Sequence, residues 1–330
     1  MTALTTVPRP AARARGNPWA TFLPRRLGRL IVSVWVLISA AFVMIHLVPG
    51  DPVRAAMGLT ASPEVVAARR QALGLNDPLP KQYADYLYHV FTGDFGASIV
   101  SGLPVSQVIA QRLPASLLIA MPAFLVLMVL AVPLGVVMAV LTRGGRRGGL
   151  HLGYTGVSVI LGAIPDFILA VALVSVFAVR LGWFPVAGRD GVSSFVLPVL
   201  TLSLGGAAVL SRVVRSETLS VLDNDFVRTA RAKRLPAPLM YLRHALPNAL
   251  TATLTIGGML LAGLAAGTVL VENVFQWPGL GTVLVQSIQQ KDYPMVQALV
   301  LVYGGLTLVV NLCVDVLLAV IDPRSTVKEG

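Results

Sequence analysis

The stretch LLIAMPAFLVLMVLAVPLGVVMAVL, which runs from Leu117 to Leu141, contains 25 residues and not one charged side chain. A helix needs about 20 predominantly apolar residues to cross the hydrocarbon core of a bilayer. This stretch is therefore long enough to span a membrane. Pro122 and Pro133 lie inside it, but neighbouring helices and local adjustments satisfy the backbone groups that a proline frees in such a helix.

The rest of the 330-residue chain has the same character. Hydrophobic residues make up 55% of it and charged residues only 12%, whereas an average soluble domain carries about 25% charged residues. This composition excludes a soluble enzyme and a disordered protein. The sequence predicts an all-α integral membrane protein with six transmembrane helices. Besides Leu117–Leu141, the five predicted spans are Leu30–Val48, Leu152–Val179 with Pro165 and Asp166 inside it, Val192–Leu210, Leu250–Val271 and Met295–Ile321.

The positive charge is distributed unevenly along the chain. The formal net charge is +11, from 26 basic and 15 acidic residues. Alternate segments between the spans hold 18 basic and 5 acidic residues on one side, and 8 of each on the other. The positive-inside rule places the basic side, with both termini, in the cytoplasm. Membrane topology therefore explains the charge, and we predict no nucleic-acid partner.

The first span is interpreted as retained rather than as a cleaved signal peptide, since no small-residue cleavage site follows its apolar core. Residues 1–24, rich in Ala, Pro and Arg, predict a disordered cytoplasmic tail. Residues 25–330 then form one six-span domain. The single cysteine, Cys313, excludes an internal disulfide and is predicted to be a small buried hydrophobe.

Two loops are long enough to carry structure of their own. The extracytoplasmic loop 49–113 predicts two amphipathic helices, Pro63–Leu73 and Pro80–Phe91. They fit either a layer packed at the membrane interface or a docking surface for a soluble partner. The cytoplasmic loop 211–249 contains LDNDFVRTARAKRL from Leu222 to Leu235, which predicts a basic helix that ends before Pro236.

That basic helix has two interpretations. It can lie on lipid head groups, or it can dock into a groove on a cytoplasmic partner. Ala230 and Ala232 permit a close approach, which contact with lipid alone does not require.

Four segments together resemble the B-type membrane subunit of dipeptide/oligopeptide ABC importers, in the binding-protein-dependent permease family. The likeness covers nearly the whole chain from about residue 25. Two positions depart from the family pattern: Arg234 stands where a glycine usually follows Ala-Lys, and Asp166 stands where a small polar residue is common. The segments are His46–Pro52; Ile164–Phe167 with Leu181–Pro185; Asp225–Lys233 with Arg243–Asn248; and Glu272–Gly281.

The resemblance implies a type I ABC importer transmembrane domain in the plasma membrane (inner membrane) of a prokaryote. It implies a heterodimer with a second permease subunit, two cytoplasmic ATPase subunits that hold ATP and Mg²⁺, and an extracytoplasmic solute-binding protein. It implies no catalytic site and no cofactor on this chain, which also lacks the G-x-x-x-x-G-K-[ST] loop for phosphates. The residues implied to couple to the ATPase are Asp225, Phe226, Arg228, Thr229, Ala230, Arg231, Ala232, Lys233 and Arg234.

Four residues are hypothesised to line the translocation path: Asp166, Phe167, Phe275 and Trp277. An ionisable group inside a span costs at least about 2.5–3.5 kcal/mol and usually faces protein or a water-filled cavity. The carboxylate of Asp166 can attract the α-ammonium of a peptide, or it can be a structural group that bonds to a neighbouring helix. Phe275 and Trp277 fit either an aromatic belt beside a turn or an external gate. Asp315 and His46 are expected to be structural and interfacial, respectively.

The predicted cargo is a dipeptide or oligopeptide. Nickel, glutathione or haem on the same scaffold is the alternative, since this family reads much of its specificity through the binding protein. A membrane sensor or scaffold would not need the long cytoplasmic helical loop. An intramembrane aspartyl protease is disfavoured because Asp166 lies in mid-span and Asp315 near a span end.

Overall fold

The computed structural model describes residues 18–47, 53–54, 62–72, 74–145, 147–224, 227 and 246–321. In these ranges the chain is helical, and the only β-structure is a single bridge between Ala97 and Pro104. The predicted all-α class is therefore confirmed. The helices are α1 (Pro18–Leu47), α2 (Pro63–Ala72), α3 (Leu79–Thr92), α4 (Val105–Thr142), α5 (Gly148–Ala163), α6 (Asp166–Leu173, continued by π-helical turns over Val174–Arg180), α7 (Ser193–Leu222), α8 (Leu246–Val274), α9 (Leu280–Gln289) and α10 (Tyr293–Ile321).

Among the described residues, five helices are long and apolar enough to cross a membrane: α1, α4, α7, α8 and α10. The predicted third span is not one straight helix, because α5 and α6 meet at an angle of 101°. Pro165 causes the break. It has no N–H to continue the ladder of α5, and it disfavours the helical conformation at Ile164, which is extended with φ −73° and ψ 122°.

The bent pair nevertheless makes one crossing, because α4 and α7 run parallel. At one end of the bundle, Arg215 Nη2 donates to Thr142 Oγ1 over 2.9 Å. At the other end, Trp277 Nε1 donates to the carbonyl of Ala115 over 2.8 Å, and its ring stacks edge-on against Phe195. The chain must cross the membrane between the end of α4 and the start of α7, so the described part of the chain makes six crossings. We call the end with Thr142 and Arg215 the basic end, and the end with Trp277 the far end.

Two predicted boundaries are wrong. Helix α1 begins at Pro18, so residues 18–24 are helical rather than part of an unstructured tail; a proline is well suited to a first helical position. Helix α7 continues to Leu222, so Arg212 lies within it and not in the following loop. The periodic burial of Val214, Thr218 and Val221 explains the extension.

The two predicted loop helices are confirmed as α2 and α3. Helix α3 packs on α1 through a hydrogen bond of 2.7 Å between Tyr83 and Ser39. The ring of Phe42 lies 5.1 Å from Tyr83 and 5.6 Å from Tyr86. Burial raises the pKa of Tyr86 to about 12.

Small residues allow the long helices to approach closely. A Cβ placed on Gly135 of α4 would stand 2.5 Å from the carbonyl oxygen of Ser211 and 2.6 Å from Val214 Cβ, both on α7. Gly258 of α8 faces the side chain of Val314 on α10 in the same way. These contacts leave no room for a side chain, so they set the spacing of α4 to α7 and of α8 to α10.

The outer surface of the bundle is apolar. Ile31 and Trp35 of α1 are 68% and 58% exposed, which suits a lipid environment and not water. Cys313 is also exposed, contrary to the predicted burial. Its apolar neighbours face the outside of the bundle, and an apolar sequence does not distinguish lipid from protein as the contact.

We expect Gly135→Ala to destabilise the protein, because overpacking a tight contact costs about 1–3 kcal/mol. Gly305→Ala is the matched control: a Cβ there meets nothing within 4 Å, and alanine favours a helix by up to about 1 kcal/mol over glycine. Thermal unfolding in detergent should show a lower midpoint for the first variant and an equal or higher one for the second. Equal midpoints for the two variants would contradict the packing described above.

Candidate functional site

The break between α5 and α6 sets the position of Asp166. Pro165 is extended, with φ −58° and ψ 140°, and Asp166 is the first residue of α6. An acidic side chain is favourable in the first turn of a helix, where the dipole is positive. The sequence thus starts α6 with a carboxylate partway through a membrane crossing.

The carboxylate of Asp166 faces two glycines on two other helices. A Cβ on Gly267 of α8 would stand 3.1 Å from Asp166 Oδ2, and one on Gly205 of α7 would stand 3.7 Å from Oδ1. The carboxylate is half-buried and makes no hydrogen bond or ion pair with any residue that the structure describes. It is therefore not held as a structural anchor within the described part of the chain. It occupies a space that the two glycines keep open.

Phe167, the next residue, is 45% exposed and lies on the surface of the single chain. It lies beside Asp166 only because the two residues are adjacent in the sequence. The other two predicted path residues lie apart from this pair, at the far end of α8.

Phe275 and Trp277 are buried, at 2% and 0% exposed. The indole of Trp277 donates to the carbonyl of Ala115 and packs edge-on against Phe195, with ring centroids 4.7 Å apart. The guanidinium of Arg189 lies 5.7 Å from the centroid of the same ring. The structure thus places both aromatic residues in the core of the far end and not on an open surface. They fill space between α4, α7 and α8, which explains why the sequence needs large side chains there.

A buried carboxylate, which the sequence reasoning did not single out, holds the turn that follows. Glu272 is fully buried, and its Oε2 accepts a hydrogen bond of 2.6 Å from the N–H of Gly281 at the start of α9. The N–H of Leu280 donates to Ser116 Oγ of α4 over 2.8 Å. Gly279 lies directly against the carboxylate and has no room for a Cβ. In the sequence, the short spacing between Glu272 and the Pro-Gly-Leu-Gly turn was the feature that could have identified this contact.

The nine predicted coupling residues, between Asp225 and Arg234, lie outside the described residues. Of residues 225–245 the structure describes Val227 alone, and that side chain is buried. The described residues that come directly before this segment are at the end of α7. There Arg143 Nη2 donates to the carbonyl of Leu222 over 2.9 Å and to Asp223 Oδ1 over 2.8 Å. A cavity of about 490 Å³ opens there, lined in part by His151 and Arg215.

The other ionisable residues named from the sequence have structural neighbours. Asp315 forms an ion pair of 2.5 Å with Arg26 of α1. His46 is exposed and lies 3.3 Å from the Oε1 atom of Gln82 on α3. Within the described ranges, no three His, Cys, Asp or Glu side chains lie together as a metal site would require.

Two family models together match most of the chain. The model described as "Binding-protein-dependent transport system inner membrane component" matches residues 131–327. The model for the N-terminal part of such membrane components matches residues 20–120.

The chain is also similar to curated proteins along almost its whole length. It is 39% identical over 308 residues to the glutathione transport system permease protein GsiC of Salmonella choleraesuis, which covers 93% of this chain and 99% of that protein. It is 37% identical over the same length to the protein of that name in Escherichia coli strain K12.

A solved structure has the same fold. The transmembrane chain in an inward-facing structure of the MetNI methionine ABC transporter matches with a TM-score of 0.54 and 18% sequence identity. The match covers 66% of this chain and 97% of that one. At this identity the likeness concerns the fold alone.

We expect Trp277→Phe to lower stability by about 1–3 kcal/mol, because phenylalanine keeps one aromatic ring but removes the indole donor and the atoms of the second ring. Trp277→Ala should cost about 3–5 kcal/mol by opening a cavity. Trp183, which is 64% exposed, gives the control Trp183→Phe with no expected change. Thermal unfolding measures all three. A stability equal to that of the unsubstituted protein for both Trp277 variants would mean that this ring is not part of the core.

Proposed function

Because this chain belongs to the binding-protein-dependent family of ABC importer permeases, we propose that it carries short peptides, glutathione among them, across a bacterial inner membrane. Glutathione is itself a tripeptide, so it belongs to the same chemical class as the dipeptides and oligopeptides to which the sequence motifs point. The observation that carries this proposal is the alignment with permeases named for glutathione transport, which spans 99% of their length.

The proposed complex has four kinds of subunit. A second permease chain completes the translocation path, two ATPase subunits bind ATP and Mg²⁺, and a solute-binding protein delivers the peptide from outside. The lack of a phosphate-binding loop in the sequence supports this division of labour, since the energy source must then lie on a partner.

The segment from Asp225 to Arg234 is the proposed contact with the ATPase. It follows the basic end of α7, and the excess of Lys and Arg at this end puts it in the cytoplasm by the positive-inside rule. In this arrangement, closure of the ATPase subunits around ATP pulls on the ends of α7 and α8. Each nucleotide state then favours one orientation of the path by differential contacts.

Asp166 and Phe167 are the proposed path residues of this chain. The support is the half-buried carboxylate, which has no partner among the described residues, at a break in a membrane crossing. Non-helical backbone at membrane depth is tolerated only where protein covers it or where it lines a water-filled cavity.

The direct test is reconstitution. The chain is purified with an ATPase, a second permease and a binding protein encoded in the same genome, and the complex is placed in proteoliposomes that contain ATP. We expect uptake of radiolabelled glutathione that depends on ATP and on the binding protein. A complex that recruits no ATPase subunit would overturn the importer assignment. One that transports dipeptides but not glutathione would narrow the cargo to ordinary peptides.

We expect Ala230→Trp to reduce ATP-dependent uptake by about tenfold or more, because a large side chain in a tight docking contact costs about 1–3 kcal/mol. The ATPase subunits should also dissociate more readily in pull-down experiments. Ala187→Trp, at an exposed alanine near the far end, is the control and should leave uptake unchanged. Similar uptake by the two variants would contradict the coupling role.

We expect Asp166→Asn to reduce uptake by about tenfold, the usual effect of losing one charge-assisted hydrogen bond. The amide keeps the shape of the side chain, so the complex should still assemble on size-exclusion chromatography. Glu217→Gln, on α7, is the matched loss of a carboxylate and should not change uptake. Full uptake by the Asp166 variant would remove this residue from the path.

A further inference from the structure

Arg212 is another charged residue on a membrane-crossing helix. It belongs to α7, ten positions before the end of that helix at Leu222. Its Nε atom is buried and has no hydrogen-bond partner among the described residues. The structure also records no ion pair for its guanidinium with any described carboxylate. An arginine with no described partner on a membrane-spanning helix is costly, and such residues usually serve a function.

The side chain of Arg212 points towards the middle of the bundle and not towards its basic end. Its Nη2 atom lies 3.9 Å from where a Cβ on Gly162 of α5 would stand. Side chains on a helix lean towards its N-terminus, which for α7 is the far end. An arginine that faces lipid would extend the other way, to the nearer interface. The side chain of Arg212 instead reaches α5 at Gly162, about one turn before the break at Pro165.

Arg212 and Asp166 approach the same crossing of helices. The Cβ position of Gly162 lies 3.9 Å from the carbonyl oxygen of Gly205, and that of Gly205 lies 3.7 Å from Asp166 Oδ1. Gly205 and Arg212 are seven residues apart on α7, or about 10 Å along the helix axis at 1.5 Å per residue. Opposite charges therefore lie near one contact between α5 and α7, and the structure records no ion pair between them.

We propose that Asp166 and Arg212 form a binding site for the two charged ends of a zwitterionic peptide on its way through the permease. The carboxylate of Asp166 accepts hydrogen bonds from the α-ammonium, and the planar guanidinium of Arg212 donates to a carboxylate of the cargo. This proposal rests on the proposed function and adds to it the charge pattern of the cargo.

The glycines explain why the two charges stay apart. Gly162, Gly205 and Gly267 have no side chains to fill the crossing, and a Cβ on Gly162 would meet Val209 Cγ2 at 2.9 Å. Close packing of α5 on α7 thus separates the two charges, and such packing is rigid. Because neither group is neutralised within the described chain, each retains its capacity to bind an opposite charge. A contact with the second permease subunit is the competing explanation, and the test below separates the two.

The test compares three forms of one cargo in proteoliposomes: glutathione, N-acetylglutathione and the C-terminal amide of glutathione. Each is supplied at equal occupancy of the binding protein, as measured by calorimetry, so that differences in uptake arise in the permease. We expect the unsubstituted complex to prefer glutathione over each analogue by about tenfold, the effect of one charge-assisted hydrogen bond.

Each variant should lose selectivity for one charged end of the peptide and keep it for the other. Asp166→Asn should abolish the preference over the N-acetyl form and keep that over the amide, and Arg212→Gln should do the reverse. Arg212→Lys, which keeps the charge but not the planar donor pair, should retain part of the preference over the amide. Glu217→Gln and Arg180→Gln are the controls and should keep both preferences. Size-exclusion chromatography checks that each complex assembles.

The outcomes show whether the proposed binding site or the proposed cargo is wrong. If uptake of all three forms falls equally in the Asp166 and Arg212 variants, or if selectivity is unchanged, the two residues contact the partner subunit or stabilise the fold, and the proposed site is wrong. If the unsubstituted complex imports no glutathione, the same comparison is made with dialanine, N-acetyldialanine and dialanine amide. Absence of uptake for both sets overturns the proposed function and the site together.

Discussion

In the hydrocarbon core of a membrane there is no water to pair with a backbone N–H or C=O, so each of these groups must find its partner within the protein. Five of the six crossings meet this requirement with continuous helices. The crossing formed by α5 and α6 does not, because Pro165 interrupts the hydrogen-bond ladder. Such a break is tolerated only where other helices or a water-filled space cover it, and α7 and α8 supply the cover through Gly205 and Gly267. The position of Asp166 follows from this requirement.

The two ends of the bundle are held by different kinds of interaction. At the far end the polar contacts are buried: Glu272 caps α9, and Asp292 accepts hydrogen bonds from Ser98 and from the N–H of Ile99. At the basic end they are partly exposed, as in the ion pairs Arg143–Asp223 and Arg26–Asp315. Exposed ion pairs contribute about 0–1 kcal/mol, whereas breaking a buried polar contact costs more. The basic end is therefore the easier one to open, and it is the end that continues into the proposed ATPase contact.

Hydropathy and loop charge were enough to predict the helical class, the number of crossings and both loop helices. They could not separate an aromatic residue that faces inwards from one at a membrane interface, because Trp277 and Trp183 look alike in a sequence. They also placed the end of the fourth span at Leu210, just before Arg212, which is the first arginine of α7. A long helix carries such a residue when its side chain points into the bundle, and that depends on neighbours such as Gly162. The close approach of Gly205 and Gly267 to Asp166 needs three helices in place, so no single segment encodes it.

The ion pair between Arg26 and Asp315 joins the first long helix to the last. Helix α1 has few other partners: its main contacts are with α10 and, outside the membrane, with α3, and most of its large side chains face outwards. During synthesis this helix leaves the ribosome before α10, and Arg26 and Asp315 are nearly three hundred residues apart in the chain. Until α10 is inserted, α1 lies in the lipid without this partner. A chain that stops before α10 would thus lack the Arg26–Asp315 ion pair and leave α1 without its main helical partner, two features by which membrane quality control can recognise an incomplete subunit.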